Sequence, residues 1–348
     1  MRGLPVRTAA VVLLTIAACG RPPATPASAT PDAFGAAIER LRVSYHIPGL
    51  SGLVLRGDSA LWEQSLGSSD LERGTPATVA TLYHLASLTK PFAAAILMQL
   101  VAEGKLRLEQ PVADFGVALQ APDTVRVWHL MSHTSEGVPG TTYRYNGNRF
   151  GRLDTVFMRV TGKPFAQLFE ERIRRPLGLR LTFPNPRDRS AFDVTGLDQS
   201  ASASLMAQGY DYSGAQRNVP VEYPAHFGAA AGMISSPRDM ARFSRALDGD
   251  RLLPSSSRAR MFSAIVTPRG DTLPYGLGWF VQRYAGEAVQ WHYGLWTGTS
   301  TLIVRVPARR LTFVLMVNNE MLSAPFRLGA GQLSSSPFAE EFFRAFMR

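Results

Sequence analysis

Ser87 and Lys90 stand three residues apart within Leu85-Ala86-Ser87-Leu88-Thr89-Lys90-Pro91-Phe92. On a helix, positions three apart share a face, with Cβ atoms about 5–6 Å apart. An amine so placed can reach the hydroxyl and, when neutral, take its proton, leaving an oxygen able to attack a carbonyl. Pro91 fixes where the helix starts. It has no N–H for the Ser87 carbonyl and is tolerated only in a first turn, so the spacing predicts a start at Ser87 or Leu88. The serine then sits at the positive end of the helix dipole, beside free backbone N–H groups. With 27 serines, and lysines at 90, 105 and 163, the pair alone carries little weight, and its surroundings must decide. Other chemistries have weaker signatures. His129 and His133 are four apart, but a zinc-protease helix needs Glu after the first His, and Leu130 stands there. No Gly-x-Ser-x-Gly elbow occurs, which argues against an α/β-hydrolase. Cys19 is the only cysteine, so an internal disulfide and a cysteine-rich metal site are both excluded. No metal and no cofactor is expected.

The elements that must position the pair follow from periodicity. Phe34, Ala37, Ile38, Leu41 and Tyr45 predict a helix over 32–46. Gly49 to Leu55 and Ala60 to Ser65 read as strands joined by a turn at 56–59. Phe92, Ile96, Leu97, Leu100 and Val101 give the Ser87 helix a buried face, and Gly104 stops it. Helical patterns follow at 149–161, 164–175, 237–247 and 255–264. From Tyr275 the chain turns β-rich, with strands at 278–284, 288–292, 299–306 and 311–318, the last two joined as a hairpin over 307–310. Phe338, Phe342, Phe343 and Phe346 mark a closing helix. This order predicts an α/β (α+β) fold: an antiparallel sheet built from both chain ends and flanked by helices, with a helical lobe inserted over about 105–260. A cleft between lobes is the expected place for a site.

The ends and composition bound the rest. Arg2 and Arg7 precede an apolar run too short to span a bilayer, and then Ile16-Ala17-Ala18-Cys19. Small residues before a cysteine look like a bacterial lipoprotein signal, which implies cleavage before Cys19, a lipid on its thiol, and an exported, membrane-anchored protein facing the cell envelope. The alternative is an ordinary signal peptide with an incidental cysteine. Residues 20–31 are small and Pro-rich and should form a tether. Residues 32–348 then hold the folded domain. The hydrophobic content of 45% and charged content of 18% suit a globular enzyme. The net charge of +10 is scattered along the chain. No basic run or nucleic-acid motif accompanies it, so no nucleic-acid partner is expected.

Several motifs in order identify a resemblance. Leu85 to Phe92 is followed by Leu130-Met131-Ser132-His133-Thr134-Ser135, Tyr145, Thr161-Gly162-Lys163-Pro164, Pro176-Leu177-Gly178-Leu179, Trp291-His292-Tyr293-Gly294 and Val306-Pro307. Over about 40–345 the chain resembles the serine β-lactamase-related hydrolases: class C β-lactamases, penicillin-binding D-Ala-D-Ala carboxypeptidases, D-aminopeptidases and similar esterases. The resemblance implies a β-lactamase-like fold and a Ser87-Lys90-Tyr145 acyl-enzyme mechanism on an ester, amide or D-peptide, by a protein expected to be a monomer. It implies that Tyr145, its pKa lowered by neighbouring amines, shuttles a proton to the leaving group. His292 would orient the tyrosine or donate to the substrate, and Tyr293 and Gly294 would edge the cleft, with Gly294 letting the substrate approach the backbone. The N–H groups of Ser87 and Leu295 would form the oxyanion hole.

The sequence departs from the family at one position. The family's Tyr-x-Asn reads Tyr145-Asn146-Gly147 here, which disfavours a β-lactam substrate relative to a simpler acyl group; Asn146 or Asn148 would have to stand in. Glu136 either points into the cleft to select a cation or caps the following turn. Trp279, Trp291 and Trp296 either line an acyl pocket or pack in the core. The rival functional class is a non-catalytic lipoprotein that keeps this fold to bind peptidoglycan or a partner.

Overall fold

The computed structural model describes residues 3, 31–212 and 216–347; the predicted leader, Cys19 and the tether lie outside them. Seven antiparallel strands form the central sheet. They are β1 (Gly49–Arg56), β2 (Ser59–Asp70), β3 (Thr75–Pro76), β4 (Phe280–Tyr284), β5 (Glu287–Trp296), β6 (Thr299–Val306) and β7 (Leu311–Val317). Their spatial order is β3-β2-β1-β7-β6-β5-β4, so the strands from the two chain ends meet where β1 pairs with β7. Six of these strands are the ones the sequence predicts, with β2 and β5 longer than the hydrophobic runs suggest; the short edge strand β3 falls where the sequence reading has a loop.

Side chains alternate across a strand, so each central strand feeds two cores. Leu50, Val54, Leu302, Val304, Phe313 and Leu315 face the two terminal helices, α1 (Pro31–Ser44) and α4 (Pro337–Phe346), whose Phe34, Ile38, Phe342 and Phe343 pack on them. Leu53, Ile303, Val314 and Met316 face the opposite way, toward α2 (Lys90–Ala102) and α3 (Pro237–Ala246). In register, Leu53, Val314, Ile303 and His292 form one row across β1, β7, β6 and β5. His292 thus continues an apolar row beneath the Ser87 helix.

The sequence assigns α2 a single buried stripe, but the structure buries Lys90 to Met98 without a break, and Leu100 as well. A helix apolar all round belongs inside a core, and α2 lies between the sheet and the helical lobe. That lobe has helices at Gly147–Gly151, Leu153–Thr161 and Phe165–Phe169. Short strands that the sequence reading did not separate join it to the Ser87 turn: Tyr83–His84 pairs with Met233–Ser235 of the lobe, which also pairs with Phe183–Pro184. Among the described residues, no helix is long and apolar enough to cross a membrane.

Candidate active site

Ser87 lies on a 3₁₀ turn, Ala86–Thr89, that runs directly into α2. Pro91 explains the tighter turn. The Ser87 carbonyl has no α-helical donor, and the Lys90 N–H takes it at the shorter spacing. In a 3₁₀ turn residues three apart eclipse, which stacks the lysine over the serine. Lys90 Nζ lies 2.8 Å from Ser87 Oγ and donates to the Ala230 carbonyl at 2.9 Å. Lys90 is fully buried, and that burial pushes its pKa down from 10.5 to about 7.

The Ser87 turn is held under strain. Ala86 has a φ of 48°, left-handed for a residue with a Cβ, a conformation that costs about 1–3 kcal/mol unless its surroundings impose it. They do so through a set of short bonds. The Ala86 N–H donates to His84 Nδ1 at 3.0 Å, and Thr89 Oγ1 donates to the Ala86 carbonyl at 2.8 Å. From β6, Thr299 and Thr301 donate to the carbonyls of His84 and Leu85. Gly294 makes this approach possible, because a Cβ there would lie 2.0 Å from the Leu85 carbonyl oxygen. The sequence reading has Gly294 make room for the substrate; in the structure it makes room for the chain that carries Ser87.

Tyr145 lies across from the pair, its ring centroid 5.2 Å from Lys90 Nζ. Its hydroxyl is buried and makes no regular hydrogen bond. Burial raises its pKa well above 10 and Tyr293 acts in the same sense, against a smaller opposing pull from the Ser87 hydroxyl. This corrects the expectation of a lowered pKa: Tyr145 is a neutral phenol and Lys90 is the group poised to titrate. His133, at a φ of 56°, accepts the Asn146 N–H on Nδ1 and packs against the Tyr145 ring at 4.2 Å between centroids, which fixes the loop carrying the tyrosine. Burial, and then the proximity of Lys90, drive both His133 and His292 well below the usual histidine value. The basic groups around Ser87 are thus held toward their neutral forms.

A cavity of about 650 Å³ opens on the pair, lined by Ser87, Lys90, Gly147, Asn148, Leu295 and Trp296 on one side. Asp154, His226 and Ala230, which sequence reasoning missed, are also among its lining residues. Several expected site residues stand elsewhere. His292 has both ring nitrogens occupied, by the Tyr275 hydroxyl at 2.8 Å and the Tyr293 carbonyl at 2.7 Å, and it is fully buried. It cannot donate to a substrate. Tyr293, one position along, packs its ring 6.0 Å from that of His292 and 5.7 Å from that of Tyr145 between centroids, so it supports the tyrosine and does not line the cavity. Asn146 serves the loop: its Oδ1 caps the next helix by accepting the Arg149 N–H, and its Nδ2 donates to Glu136 at 2.5 Å. Glu136 meets Asn146 and Arg144, so it neither selects a cation nor caps a turn. Asn148 lines the cavity, and among the described residues its amide has no protein partner. Gly147 presents open space toward Lys90, where a Cβ would lie 3.8 Å from Nζ. Trp279 and Trp291 are core residues. His129 accepts the Arg126 N–H, so its ring, like that of His133, serves the backbone.

With this geometry in hand, comparison with known proteins is specific. The beta-lactamase family model matches residues 34–330. An unguisins hydrolase of Aspergillus campestris is 26% identical over 337 residues, covering 82% of this chain and 61% of that one. A D-aminopeptidase of Gluconobacter oxydans is 24% identical, covering 82% of this chain and 58% of its own length. The chain thus spans about three fifths of these two relatives. The octameric penicillin-binding protein homologue of Pyrococcus abyssi has a similar fold, with a TM-score of 0.74 at 20% identity over 88% of this chain and 79% of that one.

Proposed function

Because the chain belongs to the beta-lactamase family of serine hydrolases, we propose that it cleaves an ester, amide or D-peptide through an acyl-enzyme on Ser87, with Lys90 as the base. The observation that carries this reading is the 2.8 Å separation of Lys90 Nζ and Ser87 Oγ, with the amine buried and its pKa near 7. Neutral Lys90 accepts the Ser87 proton as Oγ attacks the carbonyl carbon. The Ser87 and Leu295 N–H groups hold the resulting oxyanion; a donor of this kind is worth about 10²–10³ in rate. As the intermediate collapses, the phenol of Tyr145 protonates the leaving group and recovers its proton from the Lys90 ammonium. Water then attacks the acyl carbon and gives a proton to Lys90; as the acid departs, the Lys90 ammonium returns that proton to Ser87 Oγ, restoring the serine and the neutral amine. His292 acts through the Tyr275 hydroxyl that it holds, as a positioning residue. The relatives' names include a D-aminopeptidase, which supports amides and D-peptides among the substrates. Gly147 in place of asparagine favours small acyl groups over β-lactams.

Turnover of a p-nitrophenyl acylate, with labelling by a fluorophosphonate, tests the reading. Ser87→Ala is expected to abolish both, and Lys90→Ala nearly so; undiminished turnover in Ser87→Ala would sink the mechanism. We also propose that the protein is exported and anchored through lipid on Cys19, a reading supported by Ile16-Ala17-Ala18-Cys19. Processed protein that partitions into aqueous buffer without detergent would overturn the anchor.

A further inference from the structure

Lys90 can serve as a base only if its lone pair points at Ser87. A neutral amine has two N–H groups and one lone pair, so an acceptor elsewhere must fix its rotation. Here that acceptor is the Ala230 carbonyl, 2.9 Å from Nζ. Ala230 belongs to no helix or strand. It sits in Gly228-Ala229-Ala230-Ala231-Gly232, a tight turn closed by reciprocal backbone bonds between Gly228 and Ala231. Gly232 has a φ of 109° and packs so closely on the turn that a Cβ would lie 2.2 Å from the His226 carbonyl oxygen. Such a turn keeps its own shape, but its placement over Lys90 needs an outside hold. Asp188 accepts the Phe227 N–H where the segment begins. Next to Ala230 itself, Asp154 Oδ1 accepts the Ala229 N–H at 2.9 Å. Asp154 lies in the first turn of the Leu153–Thr161 helix, and it lines the cavity that contains Ser87.

We propose that Asp154 is a positioning residue which, by accepting the Ala229 N–H, holds the Ala230 carbonyl that aims Lys90 at Ser87. The chain of contacts runs from Asp154 through the Ala229–Ala230 backbone to Lys90 Nζ and on to Ser87 Oγ, each hydrogen bond between 2.8 and 2.9 Å. The proposal rests on the reading of Ser87 and Lys90 as nucleophile and base. It assigns Asp154 an acceptor's work, for which its charge is unnecessary. Without the hold, the turn loosens, Lys90 loses its orientation, and water enters beside it. The other groups facing Lys90 are the Tyr145 and Phe150 rings and the imidazoles of His133 and His292. All of them stay in place when only the 228–232 turn shifts, so a change in the titration of Lys90 reports on that turn.

The experiment compares Asp154→Ala with Asp154→Asn in the full chain. It follows the rate of Ser87 labelling by a fluorophosphonate, measured by intact mass between about pH 5 and pH 9. Asparagine keeps the acceptor oxygen and removes the charge; alanine removes both. The expected result is a loss of roughly 10–100-fold in Asp154→Ala, the size of one unmet buried hydrogen bond, with the acid limb of the rate moved to higher pH. Asp154→Asn should stay within about threefold of the parent, with its acid limb unmoved. Because asparagine cannot titrate, an unmoved limb also assigns that limb to Lys90 rather than to the Asp154 carboxyl, which burial raises to about 6. A parent-like Asp154→Ala, or equal losses in both variants with unmoved limbs, overturns the proposal. Should Asp154→Ala fail to fold, Asp154→Asn decides alone: a loss beyond about tenfold there refutes the acceptor role. A parent whose labelling persists in Ser87→Ala, or does not occur, marks failure of the functional reading itself rather than of the Asp154 link alone.

Discussion

Replacing Lys90 by methionine should abolish activity yet stabilise the protein, in a way that depends on pH. Methionine is unbranched, flexible and of similar reach, so it can occupy the lysine's channel along α2. In the native state the ammonium is disfavoured by burial, and its pKa falls from 10.5 to about 7. That fall corresponds to stability lost on the order of 5 kcal/mol. The sign follows from proton binding. Between pH 10.5 and 7 the unfolded chain holds the lysine proton and the native chain does not, so native stability falls as pH falls through this window, then levels off below about 7. Methionine removes that penalty but leaves the Ala230 carbonyl without its donor, a buried loss of about 1–3 kcal/mol. The variant should therefore be the more stable protein below about pH 9 and the less stable one above it. The difference near pH 7 should reach roughly 2–4 kcal/mol, or several degrees in melting temperature for a domain of this size. Thermal unfolding of both proteins, followed by calorimetry or fluorescence at pH values from about 6 to 10, checks this. A variant less stable at pH 6, or a difference that does not change with pH, would show that the buried amine carries no desolvation penalty. The argument for Lys90 as a neutral base would then fail.

Three further outcomes follow from the same geometry. kcat/KM for a neutral ester should rise with pH through an apparent pKa near 7, where Lys90 loses its proton, and a flat profile from pH 5 to 8, within about a factor of two, would contradict a titrating base. Gly294→Ala should lower kcat/KM by at least about 10² or prevent folding, since its Cβ meets the Leu85 carbonyl at 2.0 Å and must displace the Ser87 turn; soluble, fully active enzyme would refute the claimed close approach. Gly147→Asn should fold with a melting temperature within a few degrees of the parent, because the nearest atom to a Cβ there is Lys90 Nζ at 3.8 Å. Its acylation by a fluorescent penicillin should rise relative to that by a simple ester, and an unchanged ratio would remove Gly147 from the account of specificity.

What the sequence discloses here depends on how local the cause is. Ser87 and Lys90 are legible because a three-residue spacing and one proline fix their relation within a single turn. The sheet is legible because alternation and length mark its strands, and because β-rich segments at both ends must pair across the chain. Tyr293 is placed among ring neighbours, against Tyr145 at 5.7 Å between centroids and outside the cavity lining, and such ring packing leaves no mark in the spacing. Asn146 was misread because its helix-capping role and its bond to Glu136 engage an amide that looks free in the sequence. The contacts that finish the site are harder to foresee, because they are made by the backbone. Any residue has a carbonyl, so nothing at Ala230 announces an acceptor for Lys90, and nothing at Leu85 announces that Gly294 must make room for it. The one visible trace is the run of small residues from Gly228 to Gly232, which is what a cavity wall built of main chain requires. These backbone contacts matter because the site's chemistry rests on burial. Its amine and imidazoles are held toward neutrality chiefly by exclusion of water, and the imidazoles further by the nearby Lys90. Small shifts in the segments that seal Lys90 should therefore alter its reactivity as surely as changes to Ser87 itself.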